Sequence, residues 1–164
     1  MKKSTIFRIF QETPLGRIGI TEQNERITHL LLPGETSCED SAVIFEERIT
    51  PLLTAALEQF MEYLAGKRLE FRLPLAPVGT PFLQTVWAEL LKIPYGKTAS
   101  YKDIAERVNH PKAARAVGMA NHRNPIPIFI PCHRVIGSSG KLVGFRTGIP
   151  LKKTLLELEQ QYSR

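Results

Sequence analysis

The segment Arg72-Leu-Pro-Leu-Ala-Pro-Val-Gly79 constrains the fold more than any other stretch of the chain. Each proline removes a backbone donor and forces the residue before it toward extended geometry, so no helix can run through Pro74 and Pro77. The segment reads as a linker, or as an extended run laid along the surface. Falling near the middle of 164 residues, it divides the chain into a domain at 1–78 and a second at 79–164. Charge balance changes at the same place. Residues 1–78 hold nine Lys/Arg against eleven Asp/Glu, a net −2, and residues 79–164 hold thirteen against five, a net +8. A basic half beside a slightly acidic one is the footprint of a nucleic-acid or other polyanion surface, although charge alone leaves a merely solvated basic face open.

The first part reads as strands followed by a helix. Thr5 to Gln11, Gly16 to Glu22 and Ile27 to Leu32 carry β-branched and aromatic residues, with turns at Thr13-Pro14-Leu15-Gly16 and Gln23-Asn24-Glu25. An antiparallel sheet follows. Thr50-Pro51 supplies an N-cap and a proline at the first helical position, Leu52, Leu53, Ala56, Phe60, Tyr63 and Leu64 recur at helical spacing, and Gly66 is the stop. This helix is expected to cover the sheet.

The second part is mainly helical, which makes the fold class α+β. Thr80-Pro81 repeats the cap-and-proline start, and an apolar stripe through Phe82, Leu83, Val86, Trp87, Leu90 and Leu91 ends before Pro94-Tyr95-Gly96. Trp87 reads as a core anchor. Ser100-Tyr101-Lys102-Asp103 is a capping box in its Asp form and opens a short helix through Val108. Asn109-His110-Pro111 breaks it, and a second short helix runs from Lys112 to about Ala120, which together make a helix-turn-helix. Ala113, Ala114, Ala116, Gly118 and Ala120 keep that second helix slim, with Arg115 its one mid-helix charge. Such a helix has too few polar readers for the major groove and suits sequence-independent contact with the minor groove of duplex DNA. Tight packing against a neighbouring helix is the competing reading. Ile149 to Gln160, with Pro150 near its start, is the closing helix.

Chemistry points to Pro131-Cys132-His133-Arg134-Val135, where a thiol stands beside a basic residue able to take its proton. A buried thiol beside a satisfied histidine would look the same in sequence. Cys38 and Cys132 form no Cys-x-x-Cys pair, and His29, His110, His122 and His133 show no ligand spacing with them, so neither a metal nor another cofactor is expected. With 43% hydrophobic and 23% charged residues the composition is that of an ordinary globular protein, which argues against disorder. No apolar run approaches membrane-spanning length, and the amino terminus lacks the apolar core of a secretory signal, so a cytoplasmic address is expected.

From Pro94 to Glu159 the chain resembles the O6-alkylguanine-DNA alkyltransferases, the methylated-DNA–protein-cysteine methyltransferases of DNA repair. The resemblance rests on Ser100-Tyr101, Pro111-Lys112-Ala113-Ala114-Arg115-Ala116-Val117-Gly118, Asn124-Pro125, Ile130-Pro131-Cys132-His133-Arg134-Val135, Ser139-Gly140, Gly144-Phe145 and Leu155-Leu156 ahead of Glu159. In that order the combination is highly specific. It implies a ribonuclease-H-like sheet and helix in the first domain and a winged-helix-like second domain. It also implies that Cys132 accepts the alkyl group irreversibly, that His133 takes the thiol proton through a bound water, and that Glu159 orients that histidine. Asn124 would hold the pocket through backbone groups. Tyr101 would help rotate the nucleotide outward and bond the purine, Arg115 would fill the vacated place in the stack, and Ala114 would face DNA. The backbone at Val135 and Arg146 would read the guanine edges, with Phe145 along the wall.

Two departures stand out. Many relatives carry tyrosine where Phe145 stands and glycine where Thr147 stands, which implies a tighter, less polar pocket rim. The resemblance further implies a monomer, and the amino-terminal zinc ligands of some relatives are not supplied here; Cys38, far from Cys132 in sequence and ahead of the linker, reads as incidental. The alternative reading is a non-catalytic, lesion-binding helix-turn-helix protein, and a cysteine hydrolase built on Cys132 and His133 is a third.

Overall fold

The computed structural model describes residues 5–36 and 45–163, which fall into two compact units, Met1–Pro77 and Val78–Arg164. In the first unit β1 (Ile6–Thr13), β2 (Gly16–Gln23) and β3 (Arg26–Leu31) form an antiparallel meander. Thr13 shapes the first turn by donating its hydroxyl to the Gly16 carbonyl at 2.7 Å and accepting from the Leu15 amide at 3.2 Å. Asn24 and Glu25 both adopt positive φ (52° and 60°), the geometry whose twist matches a two-residue hairpin. A fourth strand, β4 (Phe45–Glu47), adds parallel to β1 and gives the sheet order β3-β2-β1-β4.

Helix α1 (Pro51–Leu64) starts where Thr50 accepts the Leu53 amide at 3.0 Å, and turns Leu53, Ala56, Phe60 and Tyr63 inward against β1 and β2. The sheet contributes Ile9, Ile18, Ile20, Ile27 and Leu30 to the same core. The proline segment lies along β3. Ile27 donates to the Pro74 carbonyl and accepts from the Ala76 amide, both at 2.8 Å, so the proline nitrogens take no part in the pairing. Cys38 lies outside the described residues.

In the second unit α2 (Pro81–Leu90) buries Val86, Trp87 and Leu90, and the Trp87 indole donates to the Ala120 carbonyl at 2.9 Å. The tryptophan thus anchors the core with its one polar group satisfied. A two-residue strand, β5 (Ala99–Ser100), leads into α3 (Tyr101–Arg107), whose capping box is complete in both directions between Ser100 and Asp103. Helix α4 is Ala114–His122, so it begins two residues after the expected Lys112. The Ala113 amide closes a turn onto the His110 carbonyl, and the first helical bond runs from Val117 to Ala113. After α4 the chain passes through a 3₁₀ turn, Cys132–Arg134, into β6 (Val135–Ile136), which pairs in parallel with β5. Helix α5 (Ile149–Tyr162) closes the unit and turns Lys152, Leu155 and Glu159 inward.

Candidate active site

Every candidate residue lies in the second unit, where a buried turn is held by polar side chains from three directions. Cys132 opens the 3₁₀ turn and is 3% exposed. Asn124 orders the approach to it, donating to the Ile130 carbonyl at 2.9 Å and accepting the Ile126 amide at 3.0 Å. Burial pushes the Cys132 thiol up; a hydrogen bond from Asn124 and the positive charges of Lys152 and Arg146 pull the other way. The resting group is therefore a protonated thiol poised among groups that favour its anion.

His133 turns away from solvent, and its Nε2 lies 2.7 Å from Glu159 Oε2, with both side chains buried. Arg134 clamps the same carboxylate, its Nε 2.6 Å from Oε1, while its Nη1 donates to the Ile93 carbonyl at 2.7 Å. Burial alone would raise the Glu159 carboxyl; the hydrogen bonds and charges of His133 and Arg134 outweigh it and hold the group below its usual range. Burial, with the Arg134 and Lys152 charges behind it, pushes the His133 imidazole below its ordinary value against the pull of Glu159. The carboxylate is thus ionised and the imidazole neutral. Nε2 carries the proton that Glu159 accepts, and Nδ1 keeps the basic lone pair.

Lys152 reaches the site from α5. Its Nζ donates to the carbonyls of Val135 and, at 2.9 Å, of Val143, and it sits 5.7 Å from the Tyr101 ring. Burial lowers its pKa to about 8, opposed by Cys132. Tyr101 donates its hydroxyl to the same Val143 carbonyl at 2.9 Å. Its phenol is pushed up to about 12 by burial and then by the Cys132 charge, with a hydrogen bond from Asn121 acting in the opposite sense. Tyr101 is therefore a proton-bearing donor at neutral pH.

A strap from Gly144 to Gly148 borders the site. Arg146 ties it to the end of α4, its Nη1 donating to the carbonyls of Asn124 at 3.1 Å and His122 at 3.3 Å. Gly144 has φ +68°, and a Cβ built there would lie 3.1 Å from the Tyr101 hydroxyl, so glycine meets both demands at once. Phe145 is half-buried, and the Thr147 hydroxyl is buried without a hydrogen-bond partner.

The structure brings Cys132, His133, Glu159, Asn124 and Tyr101 into one network, with Arg146 bonding its edge. Arg115 stands exposed on α4, beside a half-buried Ala114. The Val135 carbonyl, one of the expected backbone readers, is taken by Lys152. Sequence reasoning assigned no role to Arg134, Lys152 or Asn121. The first two left a signal, since Lys152 falls seven residues before Glu159 on the apolar face of α5 and Arg134 follows the Cys-His pair directly.

The profile of the 6-O-methylguanine DNA methyltransferase DNA-binding domain matches residues 81–161, and that of the same enzymes' ribonuclease-like domain matches residues 3–77. The chain belongs to the O6-methylguanine DNA methyltransferase family. Among curated members, the constitutive methylated-DNA–protein-cysteine methyltransferase of Bacillus subtilis is 48% identical over 152 residues, covering 91% of this chain and 92% of its own length. The Methanosarcina barkeri member is 45% identical over 154 residues, 93% of this chain and 96% of its own. The crystal structure of Mycobacterium tuberculosis OGT in complex with DNA superposes with a TM-score of 0.86 at 41% identity, covering 95% of this chain and 94% of that one. Family membership spans both units, including the first, where the motifs were sparse. Among the described residues no group of three or more His, Cys, Asp and Glu side chains could hold a metal ion.

Proposed function

We propose that the chain repairs duplex DNA by moving the alkyl group of O6-alkylguanine, chiefly methyl, onto the sulfur of Cys132. The thiol proton passes through a bridging water to His133, whose neutral ring and engaged Nε2 leave Nδ1 as the base. Sulfur then forms a bond to the alkyl carbon as the carbon–O6 bond breaks with its electron pair going to O6, and the departing guanine takes up one proton. The product is a thioether, which has neither a good leaving group nor an electrophilic carbonyl for water to attack, so each molecule acts once. Residues 79–164 carry the reaction.

A saturated carbon inside a base stack cannot meet a buried sulfur, so the nucleotide must be everted. Arg115, exposed on a helix whose Ala114, Ala116, Gly118 and Ala120 are small, fits the vacated place in the stack, with Ala114 close to the duplex backbone. Tyr101 then serves as donor to the purine ring. The slimness of α4 favours the minor groove and indifference to sequence, and the protein acts as a monomer.

The observation that carries this reading is the thiol's setting, a buried sulfur drawn toward its anion by Asn124, Lys152 and Arg146 beside a neutral His133 locked to an ionised Glu159. Mixing with an O6-methylguanine duplex, followed by peptide mass spectrometry, is expected to place one methyl on the peptide holding Cys132, and unmodified protein would sink the proposal. Cys132→Ser is expected to keep lesion binding and lose transfer; transfer by that variant would place the acceptor elsewhere.

A further inference from the structure

Helix α4 turns Val117, Ala120 and Asn121 inward and leaves Arg115, Ala116, Met119 and His122 on its outer side, with Arg123 exposed at its end. Arg115, Met119 and His122 are spaced i, i+4 and i+7, which sets them in one stripe down the exposed face. Met119 is the centre of that stripe, 53% exposed, and the one large apolar side chain that α4 presents to solvent. A single exposed apolar residue is ordinary on a protein surface; what distinguishes Met119 is its surroundings. Arg115 stands one turn before it and Arg123 one turn after. Gly118, its neighbour in the chain, faces Tyr101, so that a Cβ built there would lie 3.9 Å from the ring atoms Cδ1 and Cε1. The stripe ends at His122, whose carbonyl accepts from Arg146 at 3.3 Å. An apolar side chain thus stands in open solvent among cations, beside the residues proposed to handle the everted nucleotide.

Attraction to phosphates alone would be served by a polar residue at this place. The walls of the minor groove are instead deoxyribose and its floor is base edges, surfaces that an unbranched, polarisable thioether can follow. Methionine is also among the apolar side chains that enter between base steps from the minor groove and partly unstack them. We infer that Met119 is a second DNA-contacting residue of α4, an apolar wedge that lies in the minor groove one turn from Arg115 and holds the neighbouring base step apart while the nucleotide is everted. This assignment rests on α4 being the element that enters the duplex. It divides the work of the exposed stripe: the cations bring the helix to the phosphates and fill the vacated place, and the methionine supplies contact that is indifferent to both charge and sequence.

The test uses the full-length protein and Met119→Ala, which places the best helix former at an exposed position and so retains the fold, as thermal unfolding checks. Fluorescence anisotropy on an unmodified duplex gives affinity as a function of salt, and single-turnover methyl transfer is followed below saturation from an O6-methylguanine duplex and from free O6-methylguanine base. Met119→Ala is expected to weaken duplex binding by roughly tenfold at every salt concentration, the worth of about two methylene groups taken out of water. The slope of log affinity against log salt should stay as in the wild type, because an apolar contact releases no counterions. Transfer from the duplex should slow by at least the same factor, and transfer from the free base should not change. Met119→Leu, apolar and of similar volume, is expected to behave as the wild type, and Met119→Gln, of similar length but polar, as the alanine variant. Wild-type affinity and duplex rate in Met119→Ala would overturn the wedge, as would an equal loss on duplex and free base, a changed salt slope, or full activity in Met119→Gln. Wild-type protein that neither binds duplex nor accepts methyl from it would instead overturn the proposed function on which the wedge rests.

Discussion

Lys152 and Arg134 show how single buried charges act at this site, the first on the sulfur and the second on the His133–Glu159 pair. The Lys152 ammonium is one of the charges that draw the Cys132 thiol down, so Lys152→Met is expected to raise the thiol further and slow methyl transfer at neutral pH by about tenfold, the equivalent of one pKa unit. Because the folded-state pKa of Lys152 is lowered to about 8, wild-type transfer should bend downward as pH rises through that value, and the Met variant should lack the bend. Stability responds with the opposite sign. Between about 8 and the ordinary lysine value near 10.4 the unfolded chain binds the extra proton, so the cost of burying the charge is carried in full below that window and relieved across it. Thermal unfolding and transfer rate measured across the window separate the two effects. Arg134→Ala, which leaves Glu159 buried beside a missing partner, is expected to cost about 3–5 kcal/mol in urea unfolding. Joint replacement by Arg134→Met and Glu159→Leu should cost far less, yet leave His133 without its anchor. The sequence marks the positions of Arg134 and Lys152, one beside the Cys-His pair and one seven residues before Glu159, but not their roles. An arginine or lysine in an apolar stripe is ordinarily a snorkelling surface residue, and only the three-dimensional closure of α5 over the cysteine turn shows what these two bond.

At the scale of elements, what the sequence made legible was local and what it hid was long-range. The caps at Thr50, Thr80 and Ser100 and the stop at Gly66 are written in adjacent residues, and α1, α2 and α3 begin where those residues place them. The parallel addition of Phe45–Glu47 to β1 and the pairing of Ala99–Ser100 with Val135–Ile136 involve strands of three and two residues, too short for any periodicity to register. The start of α4 was misread because Pro111 resembles a first-turn proline, whereas it sits in the turn that Ala113 closes onto His110. The Gly144–Gly148 strap belongs to the hidden class, since its glycines say only that the chain bends. Gly144→Ala forces a side chain into a left-handed backbone and against the Tyr101 hydroxyl, and is expected to destabilise the fold by about 1–2 kcal/mol. If the strap also sets Tyr101, transfer should slow by more than that loss of folded protein explains. Rates corrected for the folded fraction decide the point.

For the whole molecule the uneven charge matters most, because +8 over residues 79–164 against −2 over 1–78 makes attraction to a polyanion a property of one half of the sequence. Attraction of this kind releases counterions, so affinity of Cys132→Ser protein for duplex should fall log-linearly with salt, by a slope near 0.9 for each phosphate neutralised. Arg115 adds a different kind of contact. Exposed on α4, it is proposed to occupy the gap left by the everted nucleotide, a task that exists only when there is a stack to fill. Arg115→Ala is therefore expected to slow reaction with the paired duplex by tenfold or more, on the order of one lost charged contact, while reaction with free O6-methylguanine base changes little. Lysine at the same position would restore the charge and hence the salt slope without restoring a planar group that can stack between bases. Single-turnover rates on duplex and free base for the two variants distinguish a plug in the helix from a simple phosphate contact. Equal losses on both substrates, or full rescue by Arg115→Lys, would remove Arg115 from the eversion step and leave it as one more positive charge on the surface.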